Sequence, residues 1–205
     1  MQAPKKGNIF IISAASGTGK TTLVSHLLKN NADLRVSISH TTRPPREGEQ
    51  NGVHYHFVPK AEFESLIAQQ AFLEHANVFG NYYGTSIAGV NDLSAQGYDV
   101  ILEIDVQGAE QVRQALPEAC SIFILPPSLD ILAGRLKGRG TDSEEVIHTR
   151  LAEARREIEQ AAHFDYIVVN DDLDKAEADL LHIINARRLQ KAAQQAFLAK
   201  LLENS

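Results

Sequence analysis

The feature that most restricts the fold is a pair of short, almost unbroken apolar runs, Val100-Ile101-Leu102-Glu103-Ile104 and Tyr166-Ile167-Val168-Val169. A strand with one face in water alternates apolar and polar residues. A β-branched run without that alternation belongs to a strand covered on both faces, and helices on either side of a parallel sheet supply the cover. The rest of the chain follows suit. Strand-like segments at Asn8–Ser13, Val36–Ser39, Asp99–Ile104, Ser121–Leu125 and Tyr166–Val169 alternate with helix-period segments at Thr21–Asn30, Gln107–Leu116, Leu129–Lys137, Ser143–Ala162 and Asp174–Leu198. The expectation is one α/β domain with a parallel core sheet flanked by helices, which suits a chain of 205 residues.

Two stretches break the alternation. His40–Gly52 is a Pro-rich, charged loop, and the pattern of Tyr55-His56-Phe57-Val58 after it predicts a half-exposed, antiparallel strand. A helix pattern at Lys60–Gln70 and a Gly/Asn/Tyr-rich segment at Gly80–Thr85 complete an inserted subdomain, residues 39–97. A smaller excursion around Gly138–Asp142 marks a second flap, a lid over residues 137–152, which leaves the core as 8–38, 98–136 and 153–190. Two flaps around one site are what a transferase that closes on its substrates needs. Asp174–Leu198 reads as a packed amphipathic helix, with a homo-oligomer contact as a second use.

Charge and cysteine content narrow the function. A net charge of -6 argues against a chain that binds nucleic acid or a membrane surface over its whole face, so any phosphate site has to be local. The single Cys120 rules out an intrachain disulfide framework and fits a reducing compartment. The apolar stretch Ile9–Ile12 is too short for a signal-peptide core, and no run approaches a membrane span, which points to the cytoplasm. His40, His54 and His56 lack companion cysteines or acids at ligand spacing, so no zinc site is expected.

The strongest local motif is Ala14-Ala15-Ser16-Gly17-Thr18-Gly19-Lys20-Thr21, placed between a strand and a helix carrying Leu23, Val24, Leu27 and Leu28. It fits the phosphate-binding pattern G-x-x-x-x-G-K-[ST] except that Ala14 takes the first glycine position. A methyl is tolerated there wherever φ is negative. Gly17 and Gly19 let successive N–H groups turn toward a phosphate, and the helix N-terminus adds its positive dipole end. Lys20 would meet the β- and γ-phosphates, with the Thr21 hydroxyl on Mg²⁺. A ligand-free glycine turn is the bland alternative, but it leaves the lysine among the N–H donors without a use.

Further segments resemble one family. Ser39-His40-Thr41-Thr42-Arg43-Pro44-Pro45-Arg46-Glu47-Gly48-Glu49 is similar to the S-x-T-T-R-x-P-R-x-G-E segment of guanylate kinases. So are Gly52-Val53-His54-Tyr55, Phe72-Leu73-Glu74-His75-Ala76, Gly80-Asn81-Tyr82-Tyr83-Gly84-Thr85, Leu102-Glu103-Ile104-Asp105-Val106-Gln107-Gly108, Gly138-Arg139-Gly140 and Val169-Asn170-Asp171-Asp172, in family order along residues 8–190. The resemblance implies a P-loop nucleoside monophosphate kinase fold with a five-stranded parallel core, a GMP-binding subdomain and a lid, and with MgATP and GMP as substrates.

The chemistry of these residues agrees. Arg43 and Arg46 can grip a dianionic phosphate with bidentate forks, Pro44 and Pro45 stiffen the loop between them, and Tyr55 and Tyr83 can each donate an O–H to the same phosphate. A charged, exposed loop would look the same in isolation; beside a phosphate loop it reads as a site. Guanine offers N1–H and a 2-amino group side by side, and one carboxylate can accept from both. By resemblance that carboxylate is Glu74, with Ser39 donating to O6 and Thr85 helping at the base edge. Glu103 and Asp105 stand at the carboxyl end of a core strand, where ligands of open α/β sheets bind. An acid there commonly holds Mg²⁺, and the resemblance implies that one also reaches the guanine amino group, a division the sequence leaves open. Arg135, Arg139 and Arg150 flank the lid and would neutralise the transferring phosphoryl group. Arg150, on a charged helix, equally fits an ordinary surface arginine. Asn170 is expected at adenine by analogy alone. Two rivals remain: a catalytically silent interaction module of the same fold, and a kinase for another nucleoside monophosphate.

Overall fold

The computed structural model describes residues 6–78, 80–137 and 144–203. Its elements in chain order are β1 (Ile9–Ala14), α1 (Lys20–Asn30), β2 (Leu34–Val36), β3 (His40–Thr41), β4 (His56–Phe57), α2 (Lys60–Ala68), β5 (Phe72–Val78), β6 (Asn81–Ser86), α3 (Ile87–Ala95), β7 (Asp99–Glu103), α4 (Val106–Ala115), β8 (Cys120–Leu125), α5 (Leu129–Lys137), α6 (Glu144–Glu159), a 3₁₀ turn (Gln160–His163), β9 (Tyr166–Val169), α7 (Leu173–Arg188) and α8 (Lys191–Glu203). The strands form a five-stranded sheet in the order β2-β7-β1-β8-β9 and a four-stranded sheet in the order β4-β3-β6-β5. Within the larger sheet β2 runs parallel to β7, with Val36 opposite Ile101, and β8 runs parallel to β9, with Leu125 opposite Val169. Val100, Ile101 and Leu102 on β7 and Ile122, Phe123 and Ile124 on β8 are fully buried, as strands with both faces covered require.

β9 departs from that expectation. Tyr166, Ile167 and Val169 are exposed and only Val168 is buried, because β9 ends the strand order. A β-branched run has the same composition at a sheet edge as at its centre, so the sequence does not separate the two.

The chain divides into two compact units. One comprises Ile12–Ala32 and Cys120–Ser205. In it His26 Nδ1 on α1 lies 2.6 Å from Glu177 Oε2 on α7, and Asn30 Nδ2 donates to the other Glu177 oxygen at 3.0 Å. The helix expected over Asp174–Leu198 is two helices. Leu189 closes α7 with its N–H on the carbonyls of Ala186 and Arg187, and Arg187 donates through Nη1 to Gln190 Oε1 at 2.7 Å across the break. The packed face belongs to α7 alone, through Ala176, Leu180 and Ile184; α8 buries nothing and leaves Phe197, Leu198, Leu201 and Leu202 exposed.

The second unit comprises Pro4–Ile11 and Asp33–Ala119. The strand expected over Val36–Ser39 lies earlier, at Leu34–Val36, and Ser37 and Ser39 pass the chain to the small sheet. Ser37 N–H still reaches the Ile101 carbonyl on β7 at 2.9 Å, while the Ser39 carbonyl accepts from His56 N–H at 2.9 Å on β4. The pairing of β4 is also different from the sequence expectation. It lies parallel to β3, with His40 opposite His56 and Thr41 opposite Phe57. Residues 42–55 carry the chain back to the start of β3, and a crossover of about a dozen residues is what a parallel pair needs. β5 and β6 form an antiparallel pair that brings Glu74 opposite Thr85. α3, which the sequence pattern did not single out, begins where Ser86 Oγ accepts the Gly89 N–H at 3.1 Å. Among the described residues no helix is long and apolar enough to cross a membrane.

Candidate active site

The candidate side chains fall into two sets, one in each unit. The first surrounds the loop between Ala14, the last residue of β1, and Lys20, the first of α1. Gly17 and Gly19 have φ of 87° and 95°, where a side chain would be strained. A methyl on Gly17 would also lie 2.8 Å from Leu136 Cδ2, and one on Gly19 2.8 Å from Asn170 Nδ2. Among the described non-glycine residues only Gln70 has positive φ, so Ala14 keeps a backbone geometry that its methyl accepts. Ala15 anchors the back of the loop in a buried cluster with Leu132, Leu136 and Ala154 of α5 and α6.

The loop carbonyls are turned onto protein donors. Thr18 O accepts from Arg135 Nη1 and from Asn170 Nδ2, both at 2.9 Å, and Arg135 Nη2 reaches the Asn170 carbonyl at 3.2 Å. Ala15 O takes the Thr18 N–H at 3.2 Å, and Gly19 O the Leu23 N–H at 3.1 Å. α1 has no side-chain cap and no acidic residue in its first turn, so its N-terminal dipole is left for an anion. Upstream in the loop, Glu157 Oε2 on α6 accepts the Ser16 N–H at 3.1 Å. The Thr18 hydroxyl is buried without a hydrogen-bond partner, a second polar atom consistent with a polar ligand.

Of the cations expected around this loop, Arg135 braces two carbonyls, and Arg150 Nη2 lies 3.4 Å from Ser16 Oγ at the exposed side. Arg139, with the Gly138-Arg139-Gly140 motif and much of the lid expected over 137–152, lies outside the described residues. Asn170 is buried, and its amide nitrogen serves Thr18.

The second set lies on the small sheet and its neighbours. Arg43 Nη2 donates to Glu49 Oε1 at 2.9 Å and Nη1 to the Pro44 carbonyl at 2.8 Å, while Arg46 N–H donates to Glu49 Oε2 at 2.7 Å. Glu49 thus holds the loop with one oxygen on each arginine residue. The Arg46 side chain itself is exposed. The Arg43 hydrogen bond, with the Arg46 N–H after it, holds the Glu49 carboxyl below the usual carboxylate range. The same bond, helped by one from Tyr83, raises the Arg43 guanidinium above its ordinary value. Tyr55 and Tyr83 rings stand 5.9 Å apart, and the Arg43 guanidinium carbon is 5.6 Å from the Tyr55 ring centroid. Burial, then the Glu103 carboxylate, pushes the Tyr55 phenol up, which keeps its O–H as a donor. Arg43, Tyr55 and Tyr83 therefore meet, and Glu103 acts on the same group.

Glu74 on β5 is 4% exposed, and its Oε1 accepts from Thr85 Oγ1 on β6 at 2.6 Å; Thr85 is fully buried. A carboxylate this far from water is costly unless its oxygens are satisfied. Ser39 sits half-buried between β2 and β3. Asp105 caps α4: its Oδ1 accepts from Gln107 N–H at 2.7 Å and Gly108 N–H at 3.0 Å. His40 and His56 rings pack 4.7 Å apart, and burial, then His56, lowers the His40 pKa. Two contacts of the candidate residues went unnoticed in the sequence. Glu49 carried a signal, its three-residue spacing from Arg46 in a turn; Glu157 carried none, being 141 residues from Ser16.

A strand, a glycine-turned loop whose carbonyls face away, and an uncapped helix opening on a lysine define a P-loop nucleotide-binding protein of the α/β class. The sequence model of the guanylate kinase family matches residues 6–187. A guanylate kinase of Neisseria gonorrhoeae is 76% identical over 205 residues, with each chain covered completely. One from Escherichia coli is 53% identical over 203 residues, covering 96% of this chain and 98% of its own. The crystal structure of guanylate kinase from Anaplasma phagocytophilum superimposes with a TM-score of 0.79 at 31% identity, covering 100% of this chain and 97% of that one. The chain belongs to the guanylate kinase family.

Proposed function

We propose that this chain transfers the γ-phosphoryl group of ATP to GMP, giving ADP and GDP. The observation that carries the reading is the buried Glu74 carboxylate on Thr85, in the same unit as the Arg43, Tyr55 and Tyr83 cluster. A carboxylate suits the N1–H and 2-amino edge of guanine and repels the bare N1 of adenine, while a guanidinium flanked by two phenols suits a phosphate dianion. Ser39 donates to O6, and Arg46 adds its exposed guanidinium to the acceptor phosphate. Glu103, which acts on Tyr55, faces the acceptor nucleotide.

ATP is held by the loop 14–21, with Lys20 on the β- and γ-phosphates. Asn170, whose nitrogen serves Thr18, has Oδ1 for the adenine amino group. Mg²⁺ suits hard oxygen donors, of which the phosphate-loop unit offers the Thr21 hydroxyl and the other unit the Asp105 carboxylate. When bound it would neutralise charge on the β- and γ-phosphates. Arg150, beside Ser16, would neutralise the transferring phosphoryl, while Arg135 holds the loop that positions it. The acceptor oxygen is largely ionised at neutral pH, its second pKa being about 6, so no general base is required. Catalysis rests on alignment and charge neutralisation. The buried thiol of Cys120, pushed up to about 11 by burial, suits the reducing cytoplasm, and the exposed face of α8 is where copies of the chain would meet.

The test is kcat/KM for GMP, IMP and AMP on wild type and Glu74→Gln. The expected order is GMP, IMP, AMP, with IMP lower by roughly 10- to 150-fold for one lost charge-assisted bond, and with Glu74→Gln cutting GMP more than IMP. AMP turnover rivalling GMP would overturn the guanine assignment. No turnover with any acceptor would leave a binding module.

A further inference from the structure

The first turn of α4 is built around Glu74. Gly108, the third residue of that helix, is buried, and an ideal Cβ there would lie 2.4 Å from Glu74 Oε2 and 3.0 Å from its Cδ. The opposite carboxylate oxygen, Oε1, is held by Thr85 at 2.6 Å, so the group is confined from both sides. One turn further along α4, Gln111 pairs with the backbone of the next residue on β5. Its Nε2 donates to the His75 carbonyl at 2.9 Å and its Oε1 accepts the His75 N–H at 3.2 Å, as a neighbouring strand would. Asp105 fixes where α4 begins by taking the Gly108 N–H. The place of the carboxylate is thus set by the helix backbone at 108 and by the side-chain amide at 111.

We infer that Gly108 and Gln111 are positioning residues for guanine specificity, Gly108 by admitting the Glu74 carboxylate against the helix and Gln111 by locking β5 beside it. The inference rests on the reading of Glu74 as the acceptor for N1–H and the 2-amino group. Ordinary van der Waals contact with a Cβ begins at 3.4 Å, so a methyl at 108 moves Oε2 by about 1 Å. A shift of that size misaligns a two-point contact and costs up to roughly 100-fold. Alanine is the better helix former. Loss of specificity without loss of α4 is therefore the signature of the role.

The experiment is a double-mutant cycle on the full chain. GMP, IMP and ATP affinities are measured by calorimetry for wild type, Gly108→Ala, Glu74→Ala and the double variant, with a thermal melt of each. Gly108→Ala should lower the GMP-to-IMP affinity ratio about tenfold or more, leave ATP affinity and the melting temperature near wild type, and have no further effect once Glu74 is alanine. An equal effect of Gly108→Ala with and without Glu74, or an unchanged ratio, overturns the positioning role. If Glu74→Ala itself keeps the wild-type ratio, it is the guanine reading of Glu74 that falls, a different failure from a silent Gly108. Gln111→Ala leaves the helix backbone untouched. It carries the same cycle should Gly108→Ala not fold, and it is expected to lower the same ratio while sparing ATP.

Discussion

Arg135→Lys keeps a cation on α5 and removes the planar fork, which separates two jobs the arginine could have. The fork reaches the Thr18 carbonyl at 2.9 Å and the Asn170 carbonyl at 3.2 Å. An ammonium can keep one of these bonds but not bridge both. A hydrogen bond from a charged donor contributes about 1.5–3 kcal/mol, and 1.36 kcal/mol is tenfold, so one lost bond corresponds to about 10- to 150-fold. Asn170 Nδ2 continues to hold Thr18 O at 2.9 Å, so the loop is loosened rather than released. The lower end, roughly tenfold, is the expected loss. It should fall on ATP affinity, measured by calorimetry without GMP, while kcat at saturating ATP stays within a few-fold. Asn170→Ala should be non-additive with Arg135→Lys, since both act on one carbonyl. ATP affinity unchanged beside a kcat reduced by about 100-fold or more would refute the bracing role and put the guanidinium on the transferring phosphoryl.

Lys20→Met should retain the circular dichroism spectrum and lose turnover by several orders of magnitude; near-wild-type activity in the folded variant would contradict the phosphate-loop reading. Thr85→Val removes the 2.6 Å bond to a carboxylate that is 4% exposed, so kcat/KM for GMP should fall about 10- to 150-fold at constant ATP KM, and an unchanged value would exclude a role at the base. Because the folded-state pKa of Glu49 lies below its ordinary 4.5, the clasp on Arg43 and Arg46 is fully present above that value and is lost as pH falls through the lower, folded one. Amide shifts of Arg43 and Arg46 followed by NMR should have their midpoint under pH 4.5; a midpoint at or above it would show that the clasp does not stabilise the carboxylate. Gly17→Ala places a side chain at φ 87° against Leu136, and a left-handed alanine costs about 1–2 kcal/mol, so calorimetry should find a melting temperature lower by several degrees.

Local chemistry was readable directly. α5 spans Leu129–Lys137, as its periodicity predicted, and the glycine loop opens a helix because glycines, helix formers and a lysine at adjoining positions specify that turn without help from elsewhere. Family motifs carried the candidate guanine and phosphate residues for the same reason: each is a short string. What the sequence could not supply is which end of a contact meets which. Thr85 satisfies Glu74 only because β5 and β6 pair in one register, and a slip by one residue would send the two side chains to opposite faces. Arg135 reaches the phosphate loop because the fold closes 117 positions of chain onto Thr18. The parallel β3–β4 pair, the exposed edge at β9 and the break between α7 and α8 are of the same kind. Residue type decides what a side chain can bond; only the folded chain decides which donor lies within reach and which face is left to water. Pairing, burial and register are therefore properties of the tertiary structure, even where every participating residue could be named beforehand.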